Sequence, residues 1–218
     1  MASPAAPRLL LATSSRKKLD ELEVILAGLP VTLVTPRDAG LDLDVEETGE
    51  TFRDNAVLKA ECYAREAGLP ALADDSGLEI DALGGAPGVR SARYAGPGAT
   101  DADRIALVLD RLADTPVDRR TARFRCVMAL ATPEGLVGTV EGTCEGRIAP
   151  APRGTGGFGY DPVFLFSDLD RTMAELTPDE KHAVSHRGRA GRAARGLIER
   201  WLAGRQAPAG RAETPARR

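Results

Sequence analysis

Cysteine and histidine are scarce in this 218-residue chain, and their scarcity closes several chemistries at once. Three cysteines, Cys62, Cys126 and Cys144, lie far apart without a C-x-x-C pair, and the two histidines are His182 and His186. A disulfide scaffold or a structural zinc site needs a denser, closely spaced set. The cysteines are expected as buried free thiols, and zinc catalysis is set aside. No apolar run approaches the roughly 20 residues of a membrane span. Residues 1–7 lack the charged-then-apolar layout of a signal peptide, so a cytoplasmic protein with no membrane partner is expected. A dominant charge is also missing: 29 Lys and Arg stand against 32 Asp and Glu, a net −3. Residues 204–218 hold four Arg and one Glu, and this +3 leaves −6 on the body, which argues against a nucleic-acid partner.

What is present is ordinary globular material, 43% hydrophobic and 28% charged. Residues 8–203 show no internal repeat or linker and are expected to form a single domain. The Arg-, Pro- and Ala-rich residues 204–218 are expected to be a disordered, dispensable tail. Arg8 to Ala12 and Val31 to Val34 read as buried strands, with a helix over Lys18 to Ala27 between them, closed by Gly28. Thr51 with Asp54, Thr100 with Asp103, and Thr177 with Glu180 are capping-box pairs that predict three helix starts. The first of these helices should end at Ala67 before Gly68, and a last helix should cover Arg187 to Ala203. Ala122 to Ala131 and Leu136 to Ile148 flank Pro133-Glu134-Gly135 as a β-hairpin. Early strand–helix alternation and a late hairpin together predict an α/β fold with a mixed sheet.

Charged pairs carry the chemistry. The apolar run Leu69 to Ala73 should be a strand that ends by delivering Asp74 and Asp75 to a cleft, with Glu46-Glu47 and Lys59 upstream. Hard cations such as Mg²⁺ take one or two carboxylates plus substrate phosphates, which this set could supply. Thr13-Ser14-Ser15-Arg16-Lys17-Lys18 joins a strand to a helix N-terminus, where free N–H groups can hold phosphate. The glycines of a Walker A loop are absent, and T-S-S before a helix is more often a plain N-cap. Gly154 to Asp161 contains a G-x-G-x-x-G-like run but precedes the strand-like Pro162-Val163-Phe164, so a dinucleotide fold is excluded. Its Phe158 and Tyr160 could stack on a flat ligand or sit in the core. Lys181 and Ser185-His186-Arg187-Gly188 form a donor cluster between the last two helices.

Six motifs in order carry a resemblance from Leu9 to Trp201. They are A-T-x-x-x-x-K at Ala12 to Lys18, E-E-T-G-x-T-F-x-x-N-A at Glu46 to Ala56 and A-D-D-S-G-L at Ala73 to Leu78. L-G-G-A-P-G-V-x-S-A-R-Y at Leu83 to Tyr94, G-T-G-G-F-G-Y-D-P-V-F at Gly154 to Phe164 and S-H-R-G at Ser185 to Gly188 complete the set. Together they resemble the non-canonical purine nucleoside triphosphate pyrophosphatases, which convert ITP, dITP or XTP to the monophosphate and pyrophosphate. The resemblance implies an elongated central sheet flanked by helices in two lobes around a cleft, a Mg²⁺ cofactor and a homodimer. It also implies Thr13, Ser14, Ser15, Arg16, Lys17 and Lys18 on the triphosphate, Glu47 and Asp75 on the metal, and Asp75 as proton acceptor. Ser76, Phe158, Gly159, Tyr160, Asp161, Lys181, His186 and Arg187 match substrate-binding positions, and Lys59 and Asp74 match charged positions near the metal and phosphates. His186 and Arg187 are expected to donate to the carbonyl at C6 of the base. Ser15 departs from the family's usual Asn and reaches less far. The alternative is a Maf-like pyrophosphatase acting on modified pyrimidine or methylated nucleotides.

Overall fold

The computed structural model describes residues 6–206. Its seven-stranded sheet has the order β2-β1-β3-β4-β5-β6-β7. Strands β1 (Arg8–Leu11), β2 (Thr32–Val34) and β3 (Ala71–Ile80) are parallel, and β4 (Thr121–Thr132), β5 (Gly135–Ile148), β6 (Phe164–Phe166) and β7 (Arg171–Thr172) continue antiparallel. The expected hairpin is β4–β5, turning at Pro133 and Glu134. The helices are α1 (Arg16–Ile25), α2 (Phe52–Ala67), α3 (Asp101–Arg111), α4 (Pro178–Val184) and α5 (His186–Gln206).

Two boundaries differ from the sequence reading in ways that matter. Asp74 and Asp75 lie in the middle of β3, because that strand runs on to Ile80 with β4 paired along its whole length. The partner that stops is β1, whose pairing with β3 ends at Leu11 and Leu72. The two aspartates therefore sit just past the carboxyl end of a parallel strand, where the chain turns away and leaves a crevice. Helix α5 continues to Gln206, so residues 204–206 are helix rather than tail; Arg205 lies 5.2 Å over the Trp201 ring. Residues 207–218 lie outside the described residues.

All three expected capping boxes are formed, at Thr51/Asp54, Thr100/Asp103 and Thr177/Glu180, and a fourth closes at Thr172/Glu175. Each Thr cap is worth on the order of 1 kcal/mol. The side chains of β3 alternate. Leu72 faces a core shared with α1 and α5 (Leu9, Leu22, Met128, Ile198), while Ala71 and Ala73 face α2 (Ala56, Ala60, Tyr63). Leu78 and Ile80 belong to a third core with Val108, Phe124 and Phe164. The long strands thus tie cores at both ends, with the aspartates between them. Cys126 and Cys144 are buried free thiols as expected, and Cys62 is half-buried.

Helix α5 packs directly on β5 at Gly142. A Cβ there would collide with the His186 carbonyl and the Ala190 amide, and would stand 2.8 Å from Arg189 Cβ. Backbone atoms do not move aside as side-chain tips do. Gly142→Ala should lower unfolding stability by about 1–3 kcal/mol, measured by urea denaturation. Unchanged stability would mean that α5 is not held in this contact.

Candidate active site

The loop Thr13–Ser15 leaves β1 and enters α1 without a conventional cap. Ser15 occupies the N-cap position but makes no side-chain cap bond; its own N–H donates to Thr13 Oγ1 at 3.2 Å. The first turn then holds Arg16, Lys17 and Lys18 and no acid. Three cations at the positive end of a helix dipole oppose the local electrostatics, and the conflict is relieved by an anion. Lys18 reaches inward to Asp74 at 3.0 Å. Arg16 does not join the site: it is exposed and pairs with Asp20 at 2.9 Å.

Two cavities meet here and share Ser15 and Ala92. One, of about 440 Å³, is lined by Thr13, Ser14, Lys18, Glu47, Lys59 and Arg93 among others. The second, of about 320 Å³, is lined by Lys17, Ser76, Phe124, Phe158, His186 and Arg187 among others. A larger cavity of about 770 Å³ lies elsewhere, beside the α2 N-terminus and the Gly84–Gly88 turn, and contains none of the expected site residues.

On the α2 side of the sheet, Glu47 and Asp75 converge on one ammonium. Lys59 Nζ lies 2.6 Å from Glu47 Oε1 and 3.4 Å from Asp75 Oδ1. The segment carrying Glu47 is extended, with Leu41, Leu43 and Val45 packed inward and Glu46 turned to solvent. Alternation therefore selects Glu47 from the adjacent acidic pair. Arg93 Nη1 holds the other Glu47 oxygen at 3.4 Å. Burial pushes the Asp75 carboxyl above the usual range, and Lys59 only partly offsets this.

On the opposite side, six alternating charges form a continuous chain. Asp74 Oδ2 pairs with Lys18 at 3.0 Å and Arg187 at 3.3 Å; Arg187 and Lys181 each meet Glu21 at 2.7 Å; Lys181 meets Asp161 at 2.8 Å. Burial alone would raise Asp74, but Lys18, Arg187 and Lys59 outweigh it and hold the carboxyl far below the carboxylate range. Asp74 Oδ1 and Arg187 Nε have no partner among the described residues. Arg187 commits three of its five N–H groups, one on Nη1 to Glu21 and two on Nη2 to Asp74 and Ser76, which leaves Nε–H and one Nη1–H. His186 stacks on Phe124 at 4.6 Å, and burial drives its pKa down, so the ring is neutral.

Both aromatics of the Gly154–Asp161 segment line the smaller cavity but are held differently. Tyr160 is buried in the third core and donates its hydroxyl to the Ser91 carbonyl at 2.9 Å. Phe158 lines the smaller cavity, with Lys181 Nζ 4.7 Å and Arg187 5.4 Å from its ring centroid. Asp161 accepts from the Phe158 amide at 2.8 Å, and Gly159 donates to Asp101 at 2.9 Å. Glu21, Asn55, Arg93, Asp101 and Phe124 escaped the sequence reading. Asn55 and Arg93 stand at fixed positions of the motifs quoted above without a role assigned to them, and Glu21 stands three residues after Lys18 on the same helical face.

Asp75 generates a pH prediction. Its folded pKa is raised, so it favours folding most below the unfolded value near 3.9 and loses that contribution as pH rises through the folded pKa. Asp75→Asn should therefore be at least as stable as the parent protein at pH 8 without metal, and relatively less favoured at pH 4. Denaturant titrations at both pH values check the sign. A variant clearly less stable at pH 8 would mean that the Lys59 pair outweighs burial.

This geometry has counterparts. The sequence profile of the Ham1 family matches residues 9–197. A dITP/XTP pyrophosphatase from Geobacter sulfurreducens is 52% identical over 183 residues, 84% of this chain and 92% of that protein. One from Streptomyces coelicolor is 50% identical over 188 residues, 85% of this chain and 94% of its own length. Among solved structures, a HAM1 protein from Coxiella burnetii has a TM-score of 0.82 at 44% identity, covering 89% of this chain and 99% of that one. A nucleoside-triphosphatase (dITP/XTP pyrophosphatase) from Mycobacterium abscessus has a TM-score of 0.70 at 49% identity, covering 86% and 98%. With the match running from β1 into α5 and through both cavities, this chain belongs to the Ham1 family.

Proposed function

We propose that the chain hydrolyses non-canonical purine nucleoside triphosphates (ITP, dITP, XTP) to the monophosphate and pyrophosphate. The observation that carries this reading is the pair of adjoining cavities. One joins an uncapped, cation-rich helix N-terminus to Glu47 and Lys59, whose ammonium also meets Asp75 behind them, and the other is lined by an aromatic ring and buried nitrogen donors. The names of the relatives support it, and they favour the purine reading over the Maf-like one.

The residues present fit Mg²⁺. Glu47 and Asp75 already share one cation, the Lys59 ammonium, and hard carboxylate oxygens suit this metal. Among the described residues no cluster of three metal-ligating side chains exists, so phosphate and water would complete the shell. Bound with the nucleotide, the ion would supply positive charge against the leaving pyrophosphate. Lys18 and the free N–H groups of the first turn of α1 hold and orient the phosphates. Asp75 takes the proton of the attacking water as the α–β anhydride bond breaks, and a cation beside it keeps its carboxylate ionised for that task.

Base choice follows from the nitrogen donors that line the smaller cavity. Neutral His186 offers one N–H, and Arg187 offers Nε–H. A carbonyl at C6 accepts such bonds, whereas the amino group of adenine faces them donor to donor. An unsatisfied buried donor costs about 1–3 kcal/mol, roughly tenfold or more in selectivity. Phe158 stacks on the ring. A cytoplasmic location and a homodimer complete the proposal; no described helix is long and apolar enough to cross a membrane.

The test is pyrophosphate release from ITP, dITP, XTP, ATP, dUTP and methylated nucleotides, with and without Mg²⁺. Fast, metal-dependent release confined to the first three supports the reading; preference for dUTP or methylated substrates overturns it. Lys18→Ala should lower kcat/KM about equally for every accepted purine, by roughly ten- to a hundredfold, a lost charged contact of about 1.5–3 kcal/mol. A loss confined to one base would move Lys18 from phosphate to base.

A further inference from the structure

We propose that Asn55 is a positioning residue that fixes the plane of the Asp75 carboxylate and couples it to the loop bearing Glu47. The inference rests on the hydrolase reading above. Asn55, the fourth residue of α2, closes its first turn at 0% exposure, beside the packed Phe52, Ala56 and Ala60. Asparagine is a mediocre helix former, and an amide buried there costs free energy unless both ends are bonded. Both ends are. Nδ2 donates to Asp75 Oδ2 at 3.1 Å, and Oδ1 accepts from the Gly49 amide at 2.7 Å.

The consequence is geometric. Asp75 has Lys59 on Oδ1 and Asn55 on Oδ2, so rotation of the carboxylate about its last bond is blocked from both sides. Gly49 stands two residues after Glu47, and its amide bond to Asn55 fixes that loop on the same group. A Cβ at Gly49 would sit 2.7 Å from Asn55 Oδ1 and 2.7 Å from Asp54 Cβ, so the close approach needs glycine. One primary amide supplies a donor to the carboxylate and an acceptor to the loop at fixed spacing. Alanine or leucine would leave two buried groups unpaired. Aspartate would keep the acceptor but set a second anion against Asp75. Asn55 lines neither nucleotide cavity, so its effect reaches the reaction through Asp75 and the Glu47 loop.

The test uses the full chain with Asn55→Ala and Asn55→Asp. Three quantities are read: kcat and KM for ITP at saturating Mg²⁺, the Mg²⁺ concentration for half-maximal rate, and hydrogen exchange of the Gly49 amide in protein without metal or nucleotide. Asn55→Ala should lower kcat roughly ten- to a hundredfold, the scale of a misplaced reacting group. KM for ITP should change less than about threefold, the Mg²⁺ requirement should rise, and Gly49 should exchange faster. Asn55→Asp should keep Gly49 protected yet lose kcat at least as severely, which separates the two bonds. Overturning results are near-normal kcat in folded Asn55→Asp, a loss expressed wholly in KM, or unchanged Gly49 exchange in Asn55→Ala. Should Asn55→Ala not fold, Asn55→Asp decides alone. A parent protein that releases no pyrophosphate from any purine triphosphate refutes the hydrolase reading instead, while Gly49 exchange still reports on the linkage.

Discussion

Asp74 and Arg187 are buried together in a place where neither could remain charged alone. Removing one member of a buried pair typically costs about 3–5 kcal/mol, because the other is left uncompensated. Here the pair is the centre of a chain from Lys18 through Glu21 and Lys181 to Asp161, which draws α1, β3, the glycine-rich segment, α4 and α5 to one point. The charges alternate and cancel, so the cluster is held without a net field of its own. Its spare atoms, Asp74 Oδ1 and Arg187 Nε, are where it can still respond to a ligand.

Strand geometry explains why two adjacent aspartates acquire opposite character. Successive side chains on β3 point to opposite faces. Asp74, the more deeply buried, pairs with Lys18 and Arg187 and stays ionised, while Asp75 has only the Lys59 ammonium, shared with Glu47, against its desolvation and is pushed upward. Environments that drive neighbouring carboxyls apart assign them different tasks. Asp74 serves as a fixed anion that organises cations, and Asp75 suits the proton transfer proposed for it.

Local signals made much of this legible in advance. The capping threonines, the hairpin and the buried thiols follow from short-range chemistry and are found where expected. The course of β3 was not legible, because Asp-Asp-Ser-Gly reads as a strand end and becomes strand only through pairing with β4 and the space Gly77 leaves for Ser91. The family resemblance selects Glu47 over Glu46, but the physical reason, the phase set by packing of Leu41, Leu43 and Val45, is not readable from the acidic pair itself. The tasks of Arg187 were hidden for the same reason: its partners lie 166 and 113 residues away in sequence, and no local pattern encodes them.

Carrying both aspartates on one paired strand has a cost in evolvability. Asp74 stands opposite Met128 and Asp75 opposite Val127 in the β3–β4 ladder. A slip of one residue in β3 would exchange the two carboxylates between faces, setting Asp74 against Lys59 and Asp75 against Arg187, and would also turn Leu72 out of its core. Single-residue insertions or deletions between Ala71 and Ile80 would thus disable the proposed proton acceptor and the charge chain together. Change in this part of the molecule must come by substitution, with length variation confined to the loops beyond.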